Sequence, residues 1–459
     1  VGYEVEAPIY NGKALILVDS TIYPYIKDDV QEFIINLEND GWYAESRIVP
    51  RTEKFNPMEI RKVKRIVNSY KRRWKDDFTA LILIGKVAVP YTGNYSFDGH
   101  TEHFGAFPSD LVYVVDDTLL TDEVEYNITA SRAENWNVPF DGKYDQLTLP
   151  DRLKIAVGRI DFSYLTFFKQ SEIELIRNYF KKNRSFRFGE KQRDFKGLID
   201  DGFGMQSEEV FSANAWMNFF SLCDTIVEGN FFSNVNKDYF LFSYACNSGS
   251  YTSLWSSINS EQCANFDIHS TFIFLLGSYF WDWDTKNNLL RSIVASSPEA
   301  LLCAWIGRPF WHLHHLNFGY PFAKSFLATA NNQNLYLSTS KYGHRAMHLE
   351  IIGDPTLRVY YPKPVANLKI NNQKPNLVSL QWDNPDLVDN LLGYQVLRKH
   401  NGGDYKSISI LPKEQRIYQD TPEVAGIYQY QIRAIYRVKT KTGTVLVPSI
   451  GKSNQIEIN

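Results

Sequence analysis

Cysteine is scarce in this chain, and what the sequence lacks narrows the classes of protein it can belong to. Only four cysteines occur among 459 residues, which is too few for a disulfide scaffold, and they lack the close pairing of a zinc site. The net charge is -3, so no basic field is present to hold nucleic acid or an anionic membrane. No uncharged apolar run approaches the ~20 residues of a membrane span. We therefore expect neither a nucleic-acid partner nor a membrane span.

Aromatic residues, by contrast, are abundant. They make up 15% of the chain, with 28 Tyr and 10 Trp. Tyr and Trp each combine an apolar ring with a polar group, and they are enriched at interfaces where the ring is buried and the polar group meets water. A binding surface is therefore expected. The chain begins at Val1 without an apolar signal segment, as expected either after processing on export or in a trimmed chain.

Buried strands and amphipathic helices alternate through most of the sequence. Strands at 13–19, 42–49 and 79–85 are interleaved with helical patterns at 26–39 and 57–74, and strands follow at 110–115 and 155–160. This alternation predicts an α/β fold with a parallel sheet. After a charged stretch at 184–193 the pattern restarts, which favours two α/β halves over one continuous sheet. We predict an N-terminal arm (1–12), subdomain A (13–190) and subdomain B (191–361).

The last part of the chain has a different pattern. Pro362-Lys363-Pro364 is typical of a stiff linker, and short alternating segments with turn residues then replace helices. Residues 362–459 resemble a fibronectin type III domain, an all-β immunoglobulin-like sandwich, with Trp382 as the core indole and Tyr430 as the corner tyrosine.

The most informative stretch is an apolar strand, 272–276, that runs into Gly277-Ser278-Tyr279-Phe280-Trp281-Asp282-Trp283-Asp284. The carboxyl ends of parallel strands are where open α/β sheets bind ligands. If extended, this segment would put two carboxylates on one side and two indoles on the other, an arrangement that could bind a sugar or a cation or act as acid and base. The alternative is that Asp284 caps a helix from Lys286 and the indoles pack between subdomains. We favour capping for Asp284 and a functional role for Asp282.

A second polar segment, 307–315, follows a predicted strand at 300–305 and should lie beside the same crevice. Arg308 could pair with Asp282 or clamp a ligand carboxylate. His312 and His314 could share a metal only if extended, and a buried, hydrogen-bonded pair is the favoured interpretation. The predicted binding crevice comprises Ser250, Tyr279, Trp281, Asp282, Trp283, Arg308, Trp311 and His312.

Two loops carry residues suited to metals. Asp98, His100, Glu102 and His103 crowd the loop at 91–107, a pattern compatible with a metal but also common in solvated loops. Asn135, Asp141 and Asp145 place hard oxygen donors around a Gly turn, so a structural calcium is possible there. No other cofactor is required.

Four motifs give the α/β region a family resemblance: LILIG at 81–85 leading to Pro-Ser-Asp at 108–110, IAVGRI at 155–160, the strand ending at Asp200-Asp201, and IIGDPTLRVY at 351–360. Together they resemble the gingipain family of cysteine peptidases, which implies a caspase-like fold. The resemblance extends to secreted bacterial proteins that share this fold in degenerate form.

The resemblance implies a histidine after one central strand and a cysteine after the next, because an imidazole must lower the pKa of the nucleophilic thiol. Asn247 or Cys246 stands where the histidine should be, and Ser278 or Gly277 replaces the cysteine. The dyad is therefore predicted to be absent, with Ser278 lacking an imidazole partner. A competing register makes Cys246 the nucleophile, provided that His100, His103, His312 or His314 converges on it.

These observations predict a secreted or cell-surface bacterial protein that acts as a non-catalytic binding or assembly component for a protein or glycan ligand. Export by the type IX route is an analogy with gingipain-like proteins. One alternative is a cysteine peptidase or other hydrolase that uses Cys246 or Asp282 with a distant histidine. Another is carbohydrate adhesion through exposed Trp281, Trp283 and Trp311.

Overall fold

A computed structural model describes residues 4–5, 10–191, 193–206, 209–305, 310–332, 345–374, 376–384 and 390–458. Strand β1 (Glu4–Val5) belongs to a sheet of the C-terminal part. The strands of the α/β part are β2 (Gly12–Asp19), β3 (Trp42–Val49), β4 (Phe78–Ile84), β5 (Tyr91–Tyr95), β6 (Gly105–Pro108), β7 (Ala156–Ile160), β8 (Lys196–Asp201), β9 (Met205–Gln206), β10 (Glu209–Val210), β11 (Thr225–Glu228), β12 (Phe240–Cys246), β13 (Gly249–Ser250), β14 (Ser253–Leu254), β15 (Ile258–Asn259), β16 (Ser270–Leu276), β17 (Leu302–Trp305) and β18 (Ile352–Gly353). The strands of the C-terminal part are β19 (Ala366–Lys374), β20 (Leu377–Asp383), β21 (Leu391–His400), β22 (Lys406–Pro412), β23 (Ile417–Asp420), β24 (Gly426–Thr440), β25 (Gly443–Pro448) and β26 (Lys452–Ile458). The α-helices of the described ranges are α1 (Tyr23–Asn39), α2 (Pro57–Trp74), α3 (Glu172–Arg187), α4 (Ala213–Leu222), α5 (Phe231–Val235), α6 (Ser260–Asn265), α7 (Leu289–Ala295) and α8 (Phe322–Ala330).

One ten-stranded sheet forms the centre of the α/β part, in the order β11-β8-β12-β16-β17-β18-β7-β4-β2-β3. Its pairs are parallel except for β17 with β18. The predicted α/β class is confirmed, but the two halves share a single sheet. Short β18, which comes from the Ile-Gly-Asp-Pro motif, joins them edge to edge. The subdomain boundary near residue 190 stays a prediction.

Local sequence signals explain the helices well. The helix α2 occupies the predicted residues 57–74, because Pro57 suits its first turn and the Asn56 side chain accepts hydrogen bonds from the N–H groups of Met58 and Glu59. In contrast, residues 110–115 are not a strand, since a 3-10 turn spans Asp110–Tyr113. The buried carboxylate of Asp110 accepts two 2.7 Å hydrogen bonds from Arg159 of β7, which holds this segment against that strand. No helix in the described ranges has both the length and the apolar character that crossing a bilayer requires.

The C-terminal part is antiparallel and has its own core, centred on Trp382, Tyr394 and Tyr430. The role predicted for Tyr430 belongs to Tyr428. The Tyr428 hydroxyl donates to the backbone oxygen of Val424 at 2.7 Å, whereas that of Tyr430 donates to the side chain of Asp420 at 2.6 Å. A corner tyrosine is defined by the bond to backbone a few residues upstream. Both rings point to the same side because they are two residues apart.

A buried cluster of charges fastens this sandwich to the α/β part. The carboxylate of Asp40, at the end of α1, accepts hydrogen bonds from both Arg187 and Arg358 and from the Tyr361 hydroxyl. Arg358 also donates to the Pro448 oxygen of the sandwich at 3.3 Å. The side chains of Asp40, Arg187 and Arg358 are each at most 1% exposed, so each charge depends on the others.

Replacing Asp40 by Ala would leave two buried guanidinium groups without their shared carboxylate. We expect the free energy of unfolding to fall by about 3–5 kcal/mol, measured by urea denaturation. As a matched control, Asp29→Ala removes an aspartate from the partly exposed pair with Arg177 and should cost no more than about 1 kcal/mol. Equal effects of the two substitutions would contradict a structural role for the buried cluster.

Candidate functional site

The candidate site lies where β12 and β16 end side by side. Cys246 pairs in register with Leu276, the last residue of β16. Beyond the strands the two turns pack backbone against backbone, because a Cβ at Gly249 would lie 2.5 Å from the backbone nitrogen of Ser278. Only glycine permits this approach. It brings the β13–β14 hairpin against the turn that carries Ser278 and Tyr279.

The loop at 96–103 covers this end of the sheet, and Asp98 connects the loop to the turn after β16 by hydrogen bonds. One oxygen of Asp98 accepts the backbone N–H of Tyr279 at 3.0 Å and lies 2.6 Å from Nδ1 of His103. Its other oxygen accepts the backbone N–H of His100 at 3.3 Å. The loop and the turn after β16 are therefore one hydrogen-bonded unit.

His103 lies between two carboxylates in the interior. Its Nε2 is 2.7 Å from Asp282, opposite Asp98, and its side chain is 2% exposed. Burial is the largest influence and lowers the pKa of His103, but the hydrogen bonds and charges of Asp282 and Asp98 outweigh it and raise the pKa to about 9. For Asp98, burial raises the pKa, but His103 more than offsets this and lowers it overall. At neutral pH His103 is thus an imidazolium that bridges the loop and the strand end.

The two acids of the Trp-Asp-Trp-Asp segment belong to the same network. Asp282 is 0% exposed, and its second oxygen accepts from Arg132 at 2.7 Å and Asn135 at 2.9 Å. Asp284 accepts from Tyr91 and Arg132. Burial raises the pKa of Asp284, and the charge of Arg132 reverses this to give a lowered pKa.

The prediction that Asp284 caps the next helix is therefore wrong, as is the prediction that Asp282 is available for function. The helix α7 starts at Leu289, and Asn288 caps it by accepting from the N–H groups of Leu290 and Arg291. A cap needs a free side chain at the helix start. Asp284 lies too early in the chain and is held by Arg132.

The indoles predicted to line an open crevice are buried. Trp281 is 5% exposed and stacks on Phe97 at 3.8 Å between ring centroids, while Trp283 lies under Arg159. Trp311 is 0% exposed and donates its ring N–H to the Trp305 oxygen at 2.8 Å. Phe97 of the loop at 96–103 covers Trp281. None of the three indoles is exposed as the carbohydrate-adhesion alternative expects.

The remaining predicted crevice residues are dispersed. His312 is buried, burial lowers its pKa to about 4, and its Nε2 accepts from the Asn332 amide at 3.0 Å. Ser250 shares a 2.8 Å hydrogen bond with Ser253 in the hairpin. Arg308 lies outside the described residues.

Cys246, the last residue of β12, lies beside a carboxylate. It is buried, and its sulfur donates to Asp201 at 3.1 Å. Burial raises the pKa of the thiol to about 12, and the negative charge of Asp201 acts in the same direction. Within the ranges the structure describes, no histidine contacts this sulfur. Asn247, half-buried beside it, accepts the N–H of Ser248 at 2.8 Å.

Ser278, in contrast, has the imidazole partner that the sequence did not predict. Its Oγ lies 3.0 Å from Nε2 of His100. The His100 ring stacks on Tyr279 at 5.3 Å between centroids, and the Tyr279 hydroxyl donates to Glu102 at 2.9 Å. The crowding of Asp98, His100, Glu102 and His103 was the available signal, but the contact spans 178 residues of sequence. The prediction that Ser278 lacks an imidazole is wrong.

These partly exposed groups define the rim of the site, a term used below for six residues: His100, Glu102, Tyr251, Trp255, Ser278 and Tyr279. Trp255 follows the β13–β14 hairpin, donates its backbone N–H to the Ser248 oxygen at 2.8 Å and is 72% exposed. Tyr251, at the hairpin turn, lies 5.2 Å from the Tyr279 ring. The rim thus combines three aromatic rings with a hydroxyl, an imidazole and a carboxylate.

The residues predicted to hold calcium make other contacts. Asn135 donates to Asp282, Asp141 accepts the N–H groups of Val138 and Lys143, and Asp145 accepts those of residues 123–125. No group of three His, Cys, Asp or Glu side chains in the described part of the chain is arranged to hold a metal. The carboxylates of Asp141 and Asp145 already accept hydrogen bonds from backbone N–H groups, so they are less suited to binding a cation. A calcium ion at this position stays a prediction.

Structural comparison identifies the fold. The chain is similar to the Porphyromonas gingivalis RgpB pro- and mature-domain complex, with a TM-score of 0.58 and 10% identity over 98% of this chain and 100% of that one. The predicted gingipain-like fold is confirmed. A fibronectin type III domain of human collagen XX matches 21% of this chain and 94% of that one at 12% identity and a TM-score of 0.17, a score too low to carry an argument. No family profile and no curated protein matches this chain.

The position of His103 predicts a pH dependence of stability. Its folded pKa of about 9 exceeds the ordinary value of 6.5, so the stabilisation is complete below about pH 6.5 and is lost as pH rises through about 9. In His103→Gln, the deficit in unfolding free energy relative to wild type should shrink by on the order of 3 kcal/mol between about pH 6 and pH 10, measured by urea denaturation. His400→Gln is the control, because that ring contacts a backbone oxygen instead. A deficit independent of pH would refute the bridging imidazolium.

Proposed function

We propose that this protein is a secreted or cell-surface component that keeps the gingipain-like fold without its thiol chemistry and binds a protein ligand at the rim. The environment of Cys246 supports the loss of thiol chemistry. Its sulfur is buried and donates a hydrogen bond to the Asp201 carboxylate. A thiolate forms instead in an accessible, electropositive environment. The fold supports an extracellular location by analogy with gingipain-like proteins.

The rim supports binding of a protein. Trp and Tyr are among the residues that most often dominate protein interfaces. Trp255 is 72% exposed directly after the hairpin that carries Tyr251, and the Tyr251 and Tyr279 rings lie 5.2 Å apart. Glu102 adds an exposed carboxylate, which favours a ligand with a basic or hydrogen-bonding group nearby. A glycan platform built from Trp281, Trp283 and Trp311 would need rings that are buried in this fold.

A hydrolase centred on Asp282 has little support, because Asp282 and His103 are both buried and fully bonded to each other and to their neighbours. A general base must reach the proton that it abstracts. These two groups act instead as the support on which the rim is built.

Thiol labelling tests the loss of cysteine chemistry. All four cysteines are free and buried, so native protein should resist iodoacetamide at pH 8 and react at all four positions after unfolding in urea. Cys223, buried and with a pKa likewise raised to about 12 by burial, is the internal control. Selective labelling of Cys246 in the native protein, or peptide turnover that disappears in Cys246→Ala, would refute this half of the proposal.

Peptide display tests the binding half. Selection from a displayed peptide library should yield ligands whose affinity, measured by fluorescence anisotropy, falls at least tenfold in Trp255→Ala, or about 1.4 kcal/mol. Phe220→Ala is the matched control: Phe220 is also 72% exposed but lies on α4, where the sandwich residue Lys441 contacts its backbone oxygen. Failure to select any peptide, or equal losses in both variants, would contradict a binding rim.

A further inference from the structure

Ser278 stands at the end of the strand where the resemblance implies a nucleophile, and it has a base. Its Oγ is 3.0 Å from His100 Nε2, which is hydrogen-bonding reach for removal of the hydroxyl proton. Ser278 and His100 are both partly exposed, with 44% of the His100 side chain accessible. A substrate can therefore approach both groups, unlike the buried pair formed by His103 and Asp282.

The His100 ring is held in place from three sides. Its backbone N–H donates to Asp98, its ring stacks on Tyr279, and its Nδ1 lies 3.7 Å from Glu102. The Tyr279 hydroxyl fixes Glu102 in turn. Hydrogen bonds from its own backbone N–H and from Tyr279 lower the pKa of Glu102, so it carries a negative charge beside Nδ1. A carboxylate there favours the tautomer with hydrogen on Nδ1, which leaves Nε2 free to accept from Ser278.

One backbone donor next to the Ser278 hydroxyl has no acceptor. Among the described residues, the N–H of Ser278 donates to no acceptor, and the Gly249 backbone packs closely against it on one side. Tyr279 holds a left-handed backbone conformation, φ 67°, which is strained for a residue with a bulky side chain and typical of functional turns. The strained turn directs the Tyr279 N–H to Asp98.

We propose that Ser278 is a nucleophile and His100 its general base in the hydrolysis of carboxylic esters at the rim, an activity beyond the proposed ligand binding. His100 Nε2 takes the proton from Ser278 Oγ as the oxygen bonds to the acyl carbon. The carbon–oxygen bond to the leaving alcohol then breaks, and that alcohol receives the proton. Water, deprotonated by the same imidazole, attacks the acyl-serine and releases the acid while Ser278 regains its proton.

Esters fit this geometry better than amides. At 3.7 Å, Glu102 is too far from His100 for a full hydrogen bond and assists through charge alone. Glu102 therefore orients the imidazole less firmly than the carboxylate of a closely bonded triad does, and an alcohol leaves with less help from proton transfer than an amine requires. The rings of Tyr251, Trp255 and Tyr279 favour substrates with an apolar acyl or aryl group.

Fluorophosphonate labelling tests this directly, because a serine activated by a base displaces fluoride from phosphorus and stays phosphonylated. We expect one adduct per chain, mapped to Ser278 by peptide mass spectrometry and absent in Ser278→Ala. His100→Gln should lower the labelling rate by about 100-fold or more. Ser250→Ala is the matched control, because Ser250 is a partly buried serine of the neighbouring hairpin that contacts another hydroxyl; labelling should be unchanged in it.

Two further readouts separate chemistry from folding. p-Nitrophenyl butyrate has no basic group for the Glu102 carboxylate to bind. With this substrate, Glu102→Gln should reduce kcat several-fold and leave KM unchanged, as expected if Glu102 positions and polarises His100 without touching substrate. If Ser278→Ala does not fold, Ser278→Cys serves instead: its new thiol should react with iodoacetamide in the native protein, and more slowly when His100→Gln is added.

The inference is overturned if fluorophosphonate does not label the wild-type protein, or if it labels wild type and Ser278→Ala to the same extent. If the protein is not labelled but still binds the peptides selected by display, the esterase inference fails and the proposed binding function is retained. Labelling at Ser278 without any peptide ligand would support the esterase and remove the binding proposal.

Discussion

The imidazolium of His103, held between Asp98 and Asp282, is the interaction on which the site depends. A buried charge is tolerated only when its partners are close and themselves hydrogen-bonded, and here Arg132 and Asn135 complete the shell around Asp282. Because Asp98 also binds the backbone of Tyr279 and His100, this bridge fixes the loop at 96–103 over the strand ends. It buries the Trp-Asp-Trp-Asp segment and leaves Ser278, His100 and Tyr279 at the surface.

The same principle, a carboxylate shared by buried cations, fastens the sandwich. Asp40 satisfies Arg187 and Arg358, and Arg358 continues to the Pro448 oxygen. Beyond this cluster, Gln431 donates to Asn39 at 2.9 Å and β1 pairs with β25. Glu4–Val5 and the end of α1 therefore contact the sandwich, although sequence reasoning treats them as separate segments.

Local patterns predicted what depends on neighbours in sequence. The helix at 57–74, the strand end at Leu276 and the core position of Trp382 follow from periodicity and caps. Contacts across long separations were not predicted. Alternation in the Trp-Asp-Trp-Asp segment suggested an extended strand with exposed indoles, but the segment is a turn covered by a loop nearly two hundred residues earlier. The pairing of His100 with Ser278 was missed for the same reason, since a loop without periodicity does not reveal what it covers.

The central claim is that His103 remains charged between its two carboxylates and so holds the loop over the strand ends. Nitrogen-15 NMR of the histidine side chains tests it most directly, because protonated and neutral ring nitrogens have well-separated shifts. We predict that at pH 8 both His103 nitrogens carry protons that exchange slowly, with titration centred at about pH 9. A neutral His103 at pH 8, titrating near the ordinary value of about 6.5, would contradict the account.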